Sequence, residues 1–179
     1  MTSPFRVPVA VLLRDMPSTM PVVFSAPFDA EHEFPPRGPA ESDVDPEAPV
    51  AVNVTLQSHP GGITVRGQIE VAWHGICRRC SVPVTGDLHL EVHERYRDQE
   101  GLADEETYPI EQDFIDLSPL VHDAVFLELP LAPLCRPECK GLCAQCGADL
   151  NEGECDCPPP LDPRWATLDA LRFEDSDES

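Results

Sequence analysis

Val50-Ala-Val-Asn-Val-Thr-Leu-Gln57 sets Val50, Val52, Val54 and Leu56 on one side of an extended chain and Asn53, Thr55 and Gln57 on the other. A period of two is the signature of a strand with one face buried. Pro60-Gly61-Gly62 turns the chain, and Ile63, Val65, Ile69, Val71 and Trp73 resume the alternation, with Gly67 in phase as a candidate bulge. Val82, Val84, Leu88, Leu90 and Val92 repeat the pattern opposite Thr85, Asp87, His89, Glu91 and His93. Three alternating segments joined by short connections predict an antiparallel meander.

On the N-terminal side, Val7 to Leu13 and Pro21 to Phe24 read as a peripheral strand pair within residues 1–28. Residues 29–49 combine repeated proline with acidic residues and form an acidic loop or linker. On the C-terminal side, Asp98 to Asp113 is a second acidic stretch, read as solvated loop. Ser118-Pro119 resembles an N-cap followed by proline at the first helical position. Leu120, Val121, Ala124, Val125 and Phe126 then supply the apolar face of a helix that packs on the sheet. Residues 50–134 are therefore read as the sheet with one helix, 135–173 as a cysteine-rich module ending in a helix capped by Asp162-Pro163, and 174–179 as an acidic tail. The expected class is α+β: an antiparallel, barrel-like sheet, a packed helix and a zinc-binding C-terminal module.

Thirty-three acidic against 12 basic residues give a formal net charge of -21, which opposes close approach to a polyanion. The apolar run Val7 to Leu13 contains Pro8 and is followed at once by Arg14 and Asp15, unlike a signal peptide. No stretch approaches the roughly 20 apolar residues that span a bilayer. The expectation is a cytoplasmic chain with no membrane partner, in a reducing setting that disfavours structural disulfides.

Eight cysteines carry the chemistry. Cys77-Arg78-Arg79-Cys80 falls between two expected strands, where a hairpin tip can turn both thiolates toward one ion. Cys135, Cys139, Cys143, Cys146, Cys155 and Cys157 crowd one loop-rich stretch, and Gly147 after Cys143-Ala-Gln-Cys146 suits a tight turn. Eight thiolates fit two closed tetrahedral sites of structural zinc. Pairing by proximity puts Cys143, Cys146, Cys155 and Cys157 in one site and joins Cys77 and Cys80 to Cys135 and Cys139 in the other. Any exchange among the six later cysteines preserves the count, and one zinc with leftover thiols is the plainer alternative. A competing chemistry is dithiol exchange by a thiol oxidoreductase or redox sensor, but neither Cys-x-x-Cys pair opens a helix after a strand.

His89 and His93 share the polar face of a strand with Glu91, and solvated histidines are the commoner outcome; His74 is a spare ligand candidate near Cys77. Phosphate-cradling glycine loops, nucleophile elbows and His-Glu-x-x-His helices are absent. The sequence therefore points to a non-catalytic protein without a small-molecule substrate.

Cys139-Lys-Gly-Leu-Cys143-Ala-Gln-Cys146-Gly-Ala-Asp-Leu-Asn151, then Cys155-Asp-Cys157 and Asp162-Pro163-Arg164-Trp165, resemble the YceD family of large-ribosomal-RNA accumulation proteins, and Cys77-Arg-Arg-Cys80 fits as well. The resemblance runs from Val50 to Leu171. It implies a ribosome biogenesis factor that supports accumulation of large-subunit ribosomal RNA. With so negative a chain, the expected partner is a ribosomal protein or a large-subunit assembly intermediate, approached through the acidic stretches. Local RNA contact through Arg78, Arg79, Arg136 and Lys140 is a subsidiary reading; offsetting thiolate charge is the favoured role for these cations.

Overall fold

The computed structural model describes residues 3–28, 42–45, 47–98 and 107–158. Its centre is the expected meander. β4 (Pro49–His59), β5 (Gly62–Ile76) and β6 (Pro83–Asp98) are antiparallel neighbours, and Val50, Val52, Val54 and Leu56 are all buried on one face of β4. Ile63, Val65, Ile69 and Val71 of β5 and Leu90 and Val92 of β6 continue that face. The alternation read from the sequence is thus the inner wall of the core.

Around the meander the sheet is larger than the sequence suggested. β1 (Arg6–Pro8), β2 (Thr19–Pro27), β3 (Ser42–Asp43), β7 (Tyr108–Glu111) and β8 (Phe114–Asp116) complete eight strands, in the order β1-β8-β7-β6-β5-β4-β2, with β3 paired to β5 off this path. The sheet curls into an open half-barrel. Its two ends approach through the rings of Phe5 and Phe24, 5.1 Å apart edge to face. Helix α2 (Ser118–Glu128) contributes buried Leu120, Val121 and Val125 to the same core. Among the described residues, no helix is long and apolar enough to cross a membrane.

Four local expectations are corrected. The N-terminal segments do not pair with each other: β1 joins β8 and β2 joins β4, at opposite ends of the sheet. Val7 to Leu13 is not one strand, because Ala10–Arg14 forms the short helix α1; Val9 and Leu12, at helical spacing, are buried while Val11 is exposed. The stretch Asp98 to Asp113 is not all loop, since Tyr108–Glu111 is β7, and it runs parallel to β6 in an otherwise antiparallel sheet. Ser118 is the first helical residue rather than the cap, and its N–H donates to Asp116 Oδ1 at 2.9 Å. Most of the linker 29–49, residues 99–106 of the second acidic stretch, the expected helix after Asp162-Pro163 and the acidic tail lie outside the described residues.

Gly67 is not a bulge either: the β4–β5 register runs unbroken from Ala51↔Glu70 to His59↔Gly62. A Cβ at Gly67 would lie 2.1 Å from the Asn53 carbonyl oxygen and 2.6 Å from Val54 Cα, so glycine permits the two backbones to approach. Gly67→Ala is expected to destabilise the sheet by about 1–3 kcal/mol, the usual cost of overpacking. Urea unfolding followed by circular dichroism measures it, and an unchanged midpoint would refute the close-approach account.

Candidate metal centres

The β5–β6 hairpin ends in Cys77-Arg78-Arg79-Cys80-Ser81-Val82. Cys77 N–H donates to Val82 O at 2.8 Å and Ser81 N–H to Cys77 O at 2.8 Å. The later segment repeats this turn: Cys143 N–H donates to Ala148 O at 2.8 Å and Gly147 N–H to Cys143 O at 2.9 Å. Both turns need a left-handed residue at the same step, and Ser81 (φ 61°) stands where Gly147 (φ 74°) does. Such a turn presents two sulfurs, with backbone N–H groups behind them, to one point in space. Gln145 N–H lies 3.5 Å from Cys143 Sγ in this way.

Each turn meets a second pair of thiols. The sulfurs of Cys77, Cys80, Cys135 and Cys139 all lie within 4.8 Å of one another, as do those of Cys143, Cys146, Cys155 and Cys157. Cys77 Sγ is 3.9 Å from Cys139 Sγ, and Cys80 Sγ is 3.6 Å from Cys135 Sγ. All eight cysteines are free thiols. A tetrahedral ion bonded to four thiolates at about 2.3 Å spaces its sulfurs by roughly 3.8 Å. The donor set and spacing therefore fit a closed four-sulfur metal site in both places. His74, the spare ligand candidate, belongs to neither group; it pairs with Asp43 in the β3–β5 ladder. His89 lies 3.5 Å from Glu70 on the exposed face, away from the sulfurs.

The first quartet forms a small core of its own: Cys77, Cys80 and Cys139 are buried, with Val84 and Leu134 packed against them. Arg78 N–H donates to Pro133 O at 3.0 Å, Leu142 N–H to Arg79 O at 3.0 Å, and the Arg79 guanidinium to Cys139 O at 2.7 Å. Arg79 thus holds the later segment by its carbonyl contacts. Gly141 (φ 78°) lets that backbone pass Arg79, where a Cβ would sit 2.8 Å from the Arg79 carbonyl oxygen. Lys140-Gly141-Leu142 is then the whole link between Cys139 in one quartet and Cys143 in the other. Asn151 folds back over it: its Oδ1 accepts from Lys140 N–H at 2.8 Å, and its Nδ2 lies 3.6 Å from Cys139 Sγ.

Thiol acidity is split within each quartet. Burial pushes Cys77 up, but hydrogen bonds from the backbone of Cys135, Cys80 and Arg79 outweigh it and bring the thiol down to about 6. Backbone N–H groups of Cys146 and Gln145, then the Cys155 thiol, bring Cys143 to about 6 as well. Burial and the neighbouring thiols push Cys135 up to about 12, and the Cys146 thiol followed by burial does the same to Cys157. Each quartet thus holds at least one sulfur that ionises readily, Cys77 in the first and Cys143 in the second, beside others, Cys135 and Cys157, that need a cation to ionise.

Sequence reasoning did not single out Ser81, Asn151 or the carbonyl contacts of Arg79. Aligning the two Cys-x-x-Cys turns would have placed Ser81 opposite Gly147, and an asparagine six residues before the last cysteine carries a turn signal. The contacts of Arg79 join residues far apart in sequence and leave no local trace.

The sequence of the chain matches those of known proteins. The profile of the family described as "Large ribosomal RNA subunit accumulation protein YceD" matches residues 65–172, and the chain belongs to this family. An uncharacterized protein of Mycobacterium tuberculosis (strain ATCC 25618 / H37Rv) is 34% identical over 139 residues, which cover 75% of this chain and 67% of the relative. The Bacillus subtilis uncharacterized protein YlbN is 28% identical over 160 residues, 85% of this chain and 90% of the relative. A chloroplastic protein of Arabidopsis thaliana named large ribosomal RNA subunit accumulation protein YCED homolog 1 is 44% identical over 50 residues, 28% of this chain and 16% of the relative. No solved structure matches.

Arg79→Ala is expected to weaken the hold on the 135–158 segment by about 1 kcal/mol, the net worth of a lost hydrogen bond. Limited proteolysis across a urea series should then cut that segment at lower urea than in the wild type, with the sheet's unfolding midpoint unchanged. Equal cutting in both proteins would show that Arg79 does not clamp it.

Proposed function

We propose that this chain is a non-catalytic biogenesis factor of the large ribosomal subunit, which supports accumulation of its RNA through protein contacts made in the cytoplasm during assembly. The family match over residues 65–172 carries the reading, because it spans both cysteine quartets and the part of the sheet from β5 to β8. The plant relatives bear the accumulation role in their names. A net charge of -21 favours basic protein partners over direct phosphate contact. Arg79, one of the four cations considered for RNA, has its guanidinium on the carbonyls of Cys139 and Pro137.

In this reading each quartet holds one structural zinc ion: Cys77, Cys80, Cys135 and Cys139 the first, Cys143, Cys146, Cys155 and Cys157 the second. Four thiolates with no open position suit structural zinc, which clips chain segments together and supplies no reaction chemistry. Dithiol exchange finds no support in the family or in the names of the relatives.

Two measurements test the proposal. Native mass spectrometry should find two zinc ions per chain at pH 7, lost on acidification as protons compete for the eight thiolates. A metal-free chain at neutral pH with an unaltered protease pattern would remove zinc from the account. Depleting the protein in its host should lower mature large subunits and their RNA selectively in a sucrose-gradient profile. An unchanged profile would sink the ribosomal role.

A further inference from the structure

β6 is paired along one edge with β5 from Pro83 to Tyr96, but its other edge meets β7 only at Tyr96, Arg97 and Asp98. From Pro83 to Arg95 that second edge has no strand partner among the described residues. A bare edge presents a row of N–H and C=O groups to any extended chain laid beside it. Here the edge does not face open water on both sides. It borders a groove of about 860 Å³ whose opposite wall is the second half of α2.

The groove has a distinct chemistry. Leu90 and Val92 supply an apolar floor, and Leu127, 83% exposed, stands at its mouth on α2. Glu91 and Glu94 of β6 and Asp123 and Glu128 of α2 ring it with carboxylates, and among the described residues neither lysine nor arginine lines it. β7 closes one end, where Tyr108 donates from its hydroxyl to Asp123 Oδ2 at 2.7 Å. On the β6 side the dimensions suit one added strand: His89 to Glu94 extends ~20 Å, and the facing half of α2, Asp123 to Glu128, runs alongside for about 9 Å.

We propose that this groove takes an extended, basic segment of a partner protein by strand addition to the free edge of β6. Main-chain hydrogen bonds hold such a segment, and its alternate side chains divide between two surroundings. One set faces Leu90, Val92 and Leu127 and is apolar. The other lies on the opposite face, that of Glu91, and is lysine or arginine, while Glu94, in phase with Leu90 and Val92, places a carboxylate at the end of the apolar row. A polyanion is repelled by the same carboxylates. A second copy of the chain would set like charges against each other across the pairing edge.

The inference rests on the protein-partner reading above and can fail separately from it. The test titrates the full-length chain with the acetylated, amidated hexapeptide Lys-Val-Arg-Val-Lys-Thr, by calorimetry. Saturable one-to-one binding that weakens with salt is expected. The same peptide N-methylated on alternate amides should bind at least about tenfold more weakly, because strand addition needs those N–H groups. Leu127→Arg, at an exposed position that leaves folding intact, should lower affinity by a similar factor, and a glutamate-for-lysine peptide should not bind. Absence of binding, equal affinity of the N-methylated peptide, or sedimentation as a dimer abolished by Leu127→Arg would each overturn the proposal. If depletion reduces large subunits while the peptide fails, the groove is wrong and the ribosomal role stands. If the peptide binds and depletion has no effect, the groove stands and the ribosomal role falls.

Discussion

Four sulfurs within 4.8 Å of one another are the constraint to which the rest of the molecule is fitted. At that spacing thiolates repel, and only a cation between them lets all four ionise. The acidity of the thiols expresses this: Cys77 is ready to ionise, while burial and then the neighbouring thiols push Cys135 the other way. The geometry also dictates chain path. A quartet drawn from residues 77 and 80 on one side and 135 and 139 on the other obliges α2 to deliver the chain back to the hairpin tip, which Pro133 does by accepting the Arg78 N–H.

How much of this was legible depended on range. Period-two alternation of Val and Ile is a local signal, and it gave β4, β5 and β6 with the right residues inward. β1, β7 and β8 are three or four residues long, and Pro8 and Pro109 lie within them, so none has room to show a period. Their existence follows from what they pair with, above all the parallel contact of β7 with Tyr96, Arg97 and Asp98 of β6. Gly67 misled for a related reason: a glycine in a strand signals either a bulge or a close approach, and only the neighbouring backbone decides which.

The cysteines were legible because ligand spacing is written in the chain itself. What supports them was less so. Ser81 takes a left-handed conformation that its residue type does not advertise, and Arg79 and Asn151 brace the Lys140-Gly141-Leu142 link across large sequence separations. The groove beside β6 was invisible, since it is defined by a strand edge left unpaired.

β5 outruns β4: their pairing reaches only Glu70, and beyond it β5 and β6 continue as a two-stranded ribbon to the cysteine turn. An unsupported ribbon twists and bends easily. The two-residue strand β3 lies against this span at His74 and Gly75, and the Ser42 hydroxyl reaches across to the Pro130 carbonyl at the exit of α2. Ser42 and Asp43 therefore act as a guy-line on a mast, steadying the arm that carries the first quartet. The short stretch whose Val44 is buried in the core thus has a mechanical duty as well: Ser42 and Asp43 set the angle at which the cysteine end of the molecule is held out from the sheet.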